Sequence, residues 1–347
     1  MKFNIIKLTN PIWDEYVTSA YIYDFHHTSA YHQIECKENE SSVLLVFISK
    51  NNHICLPLIK KKIPNTTYFD ATSVYGYSGP VASKPSKEID ESLKIFFKKE
   101  FLSYCDQNKI ISVFSRLHPL ISQIDFFSNL GVVKNLNKTV SIDLTLTLAE
   151  QRKAFRKSNK SEINQLKGKK GYYVKNVNKS DNQEIKDFVA IYNENMKRVE
   201  AKDYYYFDFN YFKELLNNSC FDSNLLVALK DGIMTAGAIF TKTSSIMQYH
   251  LAGTKKEFSR DTPMKLILDE ARMIGTTEGL KFLHLGGGVG GSDEDSLFKF
   301  KSGFSKNFFQ FSVWNLIVNE EIYNELVMKK GVKEEEYPNF FPLYRAK

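Results

Sequence analysis

The segment SLFKFKSGF, residues 296–304, places Lys299 and Lys301 two positions apart, directly after the glycine-rich LHLGGGVGGSDED. A lysine beside the end of a strand can steady negative charge that develops on a carbonyl oxygen during a reaction. His250, in MQYHLAG, ends an alternating stretch that reads as a strand. A histidine there can take a proton from an attacking amine, because its pKa sits near neutrality. A hydrogen-bonded core histidine fits the same pattern. Tyr75 and Tyr77 flank Gly76 in VYGYSGP. Paired tyrosines offer apolar faces and hydroxyls suited to a sugar-sized pocket, or a role in the core or a turn. Arg116 and His118 are two apart in FSRLHPL and share a face if that segment is a strand. They suit an anionic acceptor or a structural ion pair equally well.

The glycines Gly286, Gly288 and Gly291 match G-x-G-x-x-G after the apolar run Lys281–Leu285. A dinucleotide site needs an acid about 20 residues on, at the end of the next strand. NFFQFSVWNL, residues 307–316, offers none, and too little chain follows to complete such a domain. Asp293, Glu294 and Asp295 come straight after the glycines. They suit the start of a helix and would repel a pyrophosphate. The glycines therefore read as a turn that leaves a strand end uncovered.

The elements that must position these residues repeat. SSVLLVFISKNNHICLPLIKKKI (41–63) and SNLLVALKDGIMTAGAIFTKT (223–243) each give an apolar run, a polar turn and a second apolar run. Asp231-Gly232 suits the positive φ angles of a tight hairpin. A helix-like stretch precedes each hairpin, SAYHQIECKE and NYFKELLNNS. A helix and strand follow each: 89–108 with IISVFSRL, and PMKLILDEARMIGTTEG with KFLHL. Copies this far apart are duplicated mixed domains rather than solenoid units. The reading is an α/β (α+β) chain of two sheet-and-helix domains, 1–145 and 146–347. Glu150–Gly171 reads as one basic helix with Arg152, Lys153, Arg156, Lys157 and Lys160 along it, either a solvated face or a polyanion surface.

The chain has 347 residues, 43% hydrophobic and 25% charged, with a net charge of +7. That describes a folded chain with a mild basic excess, compatible with phosphate-bearing or RNA partners. Cys36, Cys55, Cys105 and Cys220 form no CxxC and no Cys/His cluster, so neither structural zinc nor a disulfide framework is expected. Cys105 and Cys220 have no adjoining histidine, which speaks against a thiol nucleophile. The opening MKFNIIKLTNPIWDEY has acids and a proline where a signal peptide needs an apolar core, and no run is long enough to span a membrane. The expected location is the cytoplasm.

Taken in order along the chain, these segments resemble the FemAB-like acyltransferases, whose members include the aminoacyltransferases of peptidoglycan cross-bridges. SLFKFKSGF resembles the family's L-[YF]-x-F-K-x-G-F. YSGPVAS resembles its G-P-V turn, FSRLHPL its strand ending in arginine, QRKAFRKSNKSEI the basic opening of its second domain, and NENMKRVEAKDYYYFDFNYFKELL its helix pair. FDATSVYGYSGP with LHLGGG is similar to a branch associated with envelope polysaccharides. The resemblance implies two tandem GNAT-like domains and an N-acyltransferase that forms an amide on an amino group of a cell-envelope sugar or peptide precursor. It implies that Lys301 stabilises the transition state, with Lys299 a weaker candidate, and that Arg198 contacts acceptor phosphates. Glu35 and Ser83 stand near places where muropeptide enzymes of the family carry lysine and aspartate. No cofactor is bound permanently. The donor is an aminoacyl-tRNA or an acyl-CoA, and the acceptor an amino-sugar nucleotide or peptidoglycan-type precursor. The stretch KEFSRDTPMKLIL lacks the glycines of a CoA pyrophosphate loop, with Asp261 or Thr262 expected to cap the helix after it. An acyl-CoA-dependent amino-sugar N-acyltransferase and a non-catalytic glycan- or RNA-binding relative are the competing readings.

Overall fold

Strands with an unbroken apolar run need cover on both faces, and both hairpins contain such runs. The computed structural model describes residues 1–50, 52–288, 295–338 and 340–346. The chain divides into two units, Met1–Leu136 with Gln310–Lys347, and Asn137–Phe309.

The first unit opens with β1 (Lys2–Lys7), α1 (Ile12–Thr18) and α2 (Ser29–Glu35). The hairpin β2 (Glu40–Ser49) and β3 (Asn52–Lys62) follows, then β4 (Phe69–Thr72), β5 (Val81–Ala82), α3 (Glu91–Gln107) and β6 (Ile110–Arg116). The strands lie in the order β1-β2-β3-β4-β6, with β5 on β3. Side chains alternate along the hairpin as the two-residue period demands. Leu45, Phe47, Ile54 and Leu56 face α3 and its Phe97 and Phe101. Leu44, Val46 and Cys55 face Trp13 and Val17 of α1. Each face buries its own apolar layer, and each fully covered large side chain contributes about 1.5–3 kcal/mol.

The second unit is entered along β7 (Val132–Asp143) and continues with α4 (Leu148–Lys153), α5 (Lys157–Lys167), β8 (Tyr173–Asn176), α6 (Asn182–Arg198) and α7 (Phe209–Leu216). Next come β9 (Asp222–Lys230), β10 (Ile233–Lys242), β11 (Ile246–Thr254), α8 (Met264–Thr277), β12 (Phe282–Gly286) and α9 (Ser296–Lys301). Its strands lie in the order β7-β12-β11-β10-β9-β8. Asp231 and Gly232 turn the hairpin with φ of 51° and 78°, as their residue types require. Ile163 and Leu166 of α5 and Ile267 and Ala271 of α8 share a core with Leu226, Ala238 and Met247 of the sheet. Phe188, Tyr192 and Phe212 of α6 and α7 pack edge-on against one another.

The expected mixed α/β class, with two tandem sheet-and-helix units, is what the chain adopts. The expected boundaries need correction. The second domain does not run to residue 347, because β13 (Asn307–Ile317) carries the chain back to the first unit, where α10 (Glu320–Lys330) follows. Trp314 stacks on Phe127 at 4.3 Å between ring centres and donates to the Leu130 carbonyl. Tyr344 meets the Ser112 hydroxyl at 2.7 Å, and Arg345 pairs with Asp70. These contacts are buried and non-local, so no sequence period announces them.

The basic run 150–171 also divides into α4 and α5, because Phe155 must turn inward to pack on Phe304. Part of its charge is used internally. Arg152 and Lys167 pair with the buried Asp269, which also holds the buried Arg272. Among the described residues, no helix is long and apolar enough to cross a membrane.

Candidate active site

β11 and β12 run parallel but pair only from Ile246–Gln248 to Phe282–His284. Beyond that, β11 stays with β10 through Leu251–Thr254, and Gly286 at the end of β12 pairs with Val140 of β7. Each strand follows its outer neighbour, so the two part. The β10–β11 register shifts at the same level, with Phe240 opposite Tyr249 and Ile239 opposite Leu251. His250 is the extra residue of this bulge, and a bulge re-aims the side chains beside it. Below the parting, His284 donates from Nδ1 to the Gln248 side-chain oxygen at 2.6 Å, tying the two strands.

Lys301 closes α9 and is only 7% exposed. Its Nζ donates to the Gly287 carbonyl oxygen at 2.7 Å and lies 5.8 Å from the ring centre of Tyr249. Burial pushes its pKa down to about 7, against the opposing pull of the Asp295 carboxylate. A backbone carbonyl and an aromatic face stabilise an ammonium without neutralising it. The group is therefore a cation on the edge of titration at neutral pH, positioned by two neutral partners. Lys299, two residues earlier, is exposed, and its backbone oxygen accepts from Arg156.

The glycine turn has a steric reason. Gly286 has φ of +74°, and a Cβ on Gly288 would meet the Asp295 carboxylate oxygen at 2.2 Å. Asp295 caps α9 by accepting from the Phe298 amide at 2.9 Å. One of the three expected acidic residues thus caps the helix, while Asp293, Glu294 and Gly291 lie outside the described residues.

Arg198 ends α6 and donates to the Thr254 carbonyl at 3.0 Å and to Asn195. Its guanidinium fastens the helix end to the end of β11. The start of α8 corrects an expectation. Neither Asp261 nor Thr262 caps it: Asp261 takes Lys170 and the Tyr172 hydroxyl, and Thr262 donates to Glu162. Lys170 and Lys230 offset the charge of Asp261 there.

Tyr75, Tyr77, Arg116 and His118 belong to the first unit. Arg116 ends β6, with its guanidinium over the rings of Phe114 at 5.1 Å and Tyr75 at 6.0 Å. His118 lies past the strand end, so the two do not share a strand face. His118 is buried, and its Nε2 donates to Asp24 at 3.1 Å. His26 donates to the same carboxylate oxygen at 3.0 Å, and Tyr77 packs edge-on against both imidazoles. Burial alone would raise the Asp24 pKa, but the two imidazoles hold it well below the carboxylate range.

Asp24, His26 and His118 have the donor set of a metal site. The Leu120 amide, however, donates to His118 Nδ1 at 3.2 Å, which leaves the proton on Nε2. That tautomer turns an N–H, not a lone pair, toward Asp24, so protons fill the cluster. His118 therefore serves the buried network rather than an anionic acceptor. Sequence reading missed this cluster, although the run Asp24-Phe25-His26-His27 signals it. It also missed Tyr249, whose residue type alone carries no signal.

No protein-family model and no curated protein matches the sequence. Solved structures do. FemX is similar with a TM-score of 0.74 at 14% identity, over 93% of this chain and 99% of that one. L-PGS from Bacillus licheniformis gives 0.60 at 13%, over 93% and 97%. The C-terminal (DUF2156) domain of a putative lysylphosphatidylglycerol synthetase from Agrobacterium fabrum gives 0.59 at 13%, over 93% and 97%. The expected FemAB-like architecture therefore stands at the level of the fold, and this chain has the fold of FemX.

Proposed function

We propose that the chain is an N-acyltransferase that transfers an aminoacyl or acyl group to an amine on a cell-envelope precursor. The observation that carries this reading is Lys301, a buried ammonium held by a backbone carbonyl where two parallel strands part. The fold shared with FemX supports it, as does the fold shared with the domain of a putative lysylphosphatidylglycerol synthetase.

In this reading the acceptor amine loses a proton to His250 or to water and attacks the carbonyl carbon of the donor. Negative charge builds on the carbonyl oxygen, and the Lys301 ammonium stabilises it. The carbon–oxygen or carbon–sulfur bond to the carrier then breaks, the carrier takes up a proton, and an amide remains. Of the two donors, aminoacyl-tRNA fits the stretch before α8, which has none of the glycines of a CoA pyrophosphate loop, and the net charge of +7 is compatible with it. Both donors place the reaction in the cytoplasm. Arg198 stands as an acceptor contact, to an amino-sugar nucleotide or a peptidoglycan-type precursor.

The test is incubation with labelled aminoacyl-tRNA or acyl-CoA and such precursors, followed by mass spectrometry for an amide. An amide formed by the wild type and lost in Lys301→Ala supports the reading. No amide from any donor–acceptor pair, with strong glycan or RNA binding, favours the non-catalytic alternative.

A further inference from the structure

We propose that Asp295 is a positioning residue for Lys301, fixing from one carboxylate both the helix that carries the lysine and the glycine turn that holds its ammonium. This rests on the catalytic role of Lys301 proposed above.

Three contacts carry it. Asp295 accepts from the Phe298 amide at 2.9 Å, which sets the start of α9. The same carboxylate fills the space a side chain on residue 288 would need, since a Cβ there would meet its Oδ1 at 2.2 Å and its Cγ at 2.6 Å. The neighbouring Gly287 supplies the carbonyl that accepts from Lys301 Nζ at 2.7 Å. The helix is only six residues long, so its first and last turns are nearly the same turn. A shift at Asp295 passes to Lys301 with little to absorb it, and helices this short have little stability of their own.

A cap alone would need only a hydrogen-bond acceptor, and serine or asparagine would serve as well. The buried setting makes the charge matter too. Among the described residues, the groups around the ammonium are Tyr249 from β11, the Gly287 carbonyl beyond β12, and Asp295 ahead of α9. Of these, Asp295 is the anion that favours the charged lysine, while burial opposes it.

The experiment compares Asp295→Asn, Asp295→Ser and Asp295→Ala with the wild type. Asparagine and serine keep the cap and remove the charge; alanine removes both. Lys301 acylation by a small anhydride is followed by peptide mass spectrometry across pH, which reports its titration without any enzymatic assay. The expected result for Asp295→Asn is an unchanged melting temperature, a Lys301 labelling midpoint lower by about one unit or more, and kcat down about tenfold with KM nearly kept. A labelling midpoint and kcat equal to wild type in Asp295→Asn would overturn the proposal and leave Asp295 a plain cap. If no acyl transfer is found in the wild type, the reading of function fails, while the labelling arm still decides whether Asp295 governs Lys301.

Discussion

Lys301 and Gly287 are joined by a 2.7 Å hydrogen bond from an ammonium to a backbone carbonyl, and among the described residues no carboxylate is hydrogen-bonded to that ammonium. A buried cation so placed costs stability, because its desolvation is only partly offset. Lys301→Met, which keeps the shape and removes the charge, is expected to leave the melting temperature equal or higher while abolishing acyl transfer. Activity and stability that fall together would mark the lysine as structural.

The titration of Lys301 sets a pH limit. Its pKa in the fold is about 7, so the ammonium is full below that value and lost as pH rises through it. If the ammonium stabilises the oxyanion, the rate at saturating substrate declines on the alkaline side of about 7. Arginine stays charged across this range, so Lys301→Arg is expected to lose that alkaline limb whatever its absolute rate. A limb unchanged in Lys301→Arg would assign it to another group.

Gly288 has no room for a methyl group beside Asp295. Gly288→Ala is expected to reduce turnover at least tenfold while the circular dichroism of the chain is kept, since the strain falls on one turn. Combined with Asp295→Ser, which shortens the opposing side chain, the two losses should amount to less than their product. Double-mutant kinetics would show it, and strict additivity would argue against contact.

The histidine cluster of the first unit predicts sensitivity to acid. Beside it, at Trp13, lie two further buried histidines, His27 and His32, which burial pushes down to about 3, so that neither takes a proton in the fold above that value. Above the unfolded value near 6.5 they add no pH dependence. Between that value and about 3 the unfolded chain binds the extra protons, and stability falls by up to about 1.4 kcal/mol per pH unit for each histidine. Asp24, held low, adds a loss below the ordinary aspartate range. Urea midpoints from pH 7 to pH 4 should therefore decline steeply, and less steeply in His32→Gln. A flat profile would contradict the burial of the cluster.

Asp269 holds Arg272, Arg152 and Lys167 from a site 1% exposed. Asp269→Ala leaves the buried Arg272 without its anion, and a loss of about 3–5 kcal/mol is expected. Denaturant unfolding measures it. A loss below 1 kcal/mol would mean that water reaches Arg272.

Local signals in the sequence determined the hairpins at 41–63 and 223–243, the helices that flank them, and Lys301 as a lysine set beside a strand end. Two-residue and 3.6-residue periods and the Asp231-Gly232 turn are visible in a few adjacent residues, because they reflect backbone geometry and one-sided burial. The tertiary structure alone decided the rest. It returned residues 310–347 to the first unit through Trp314 and Tyr344, broke the basic run at Phe155, and set His118 on Asp24 instead of beside Arg116. It also gave Lys301 its near-neutral pKa, by burying the ammonium away from water, where a carbonyl beyond β12 and a ring of β11 receive it. Those outcomes depend on which distant groups meet and how completely water is excluded, and neither is written in the order of neighbouring residues.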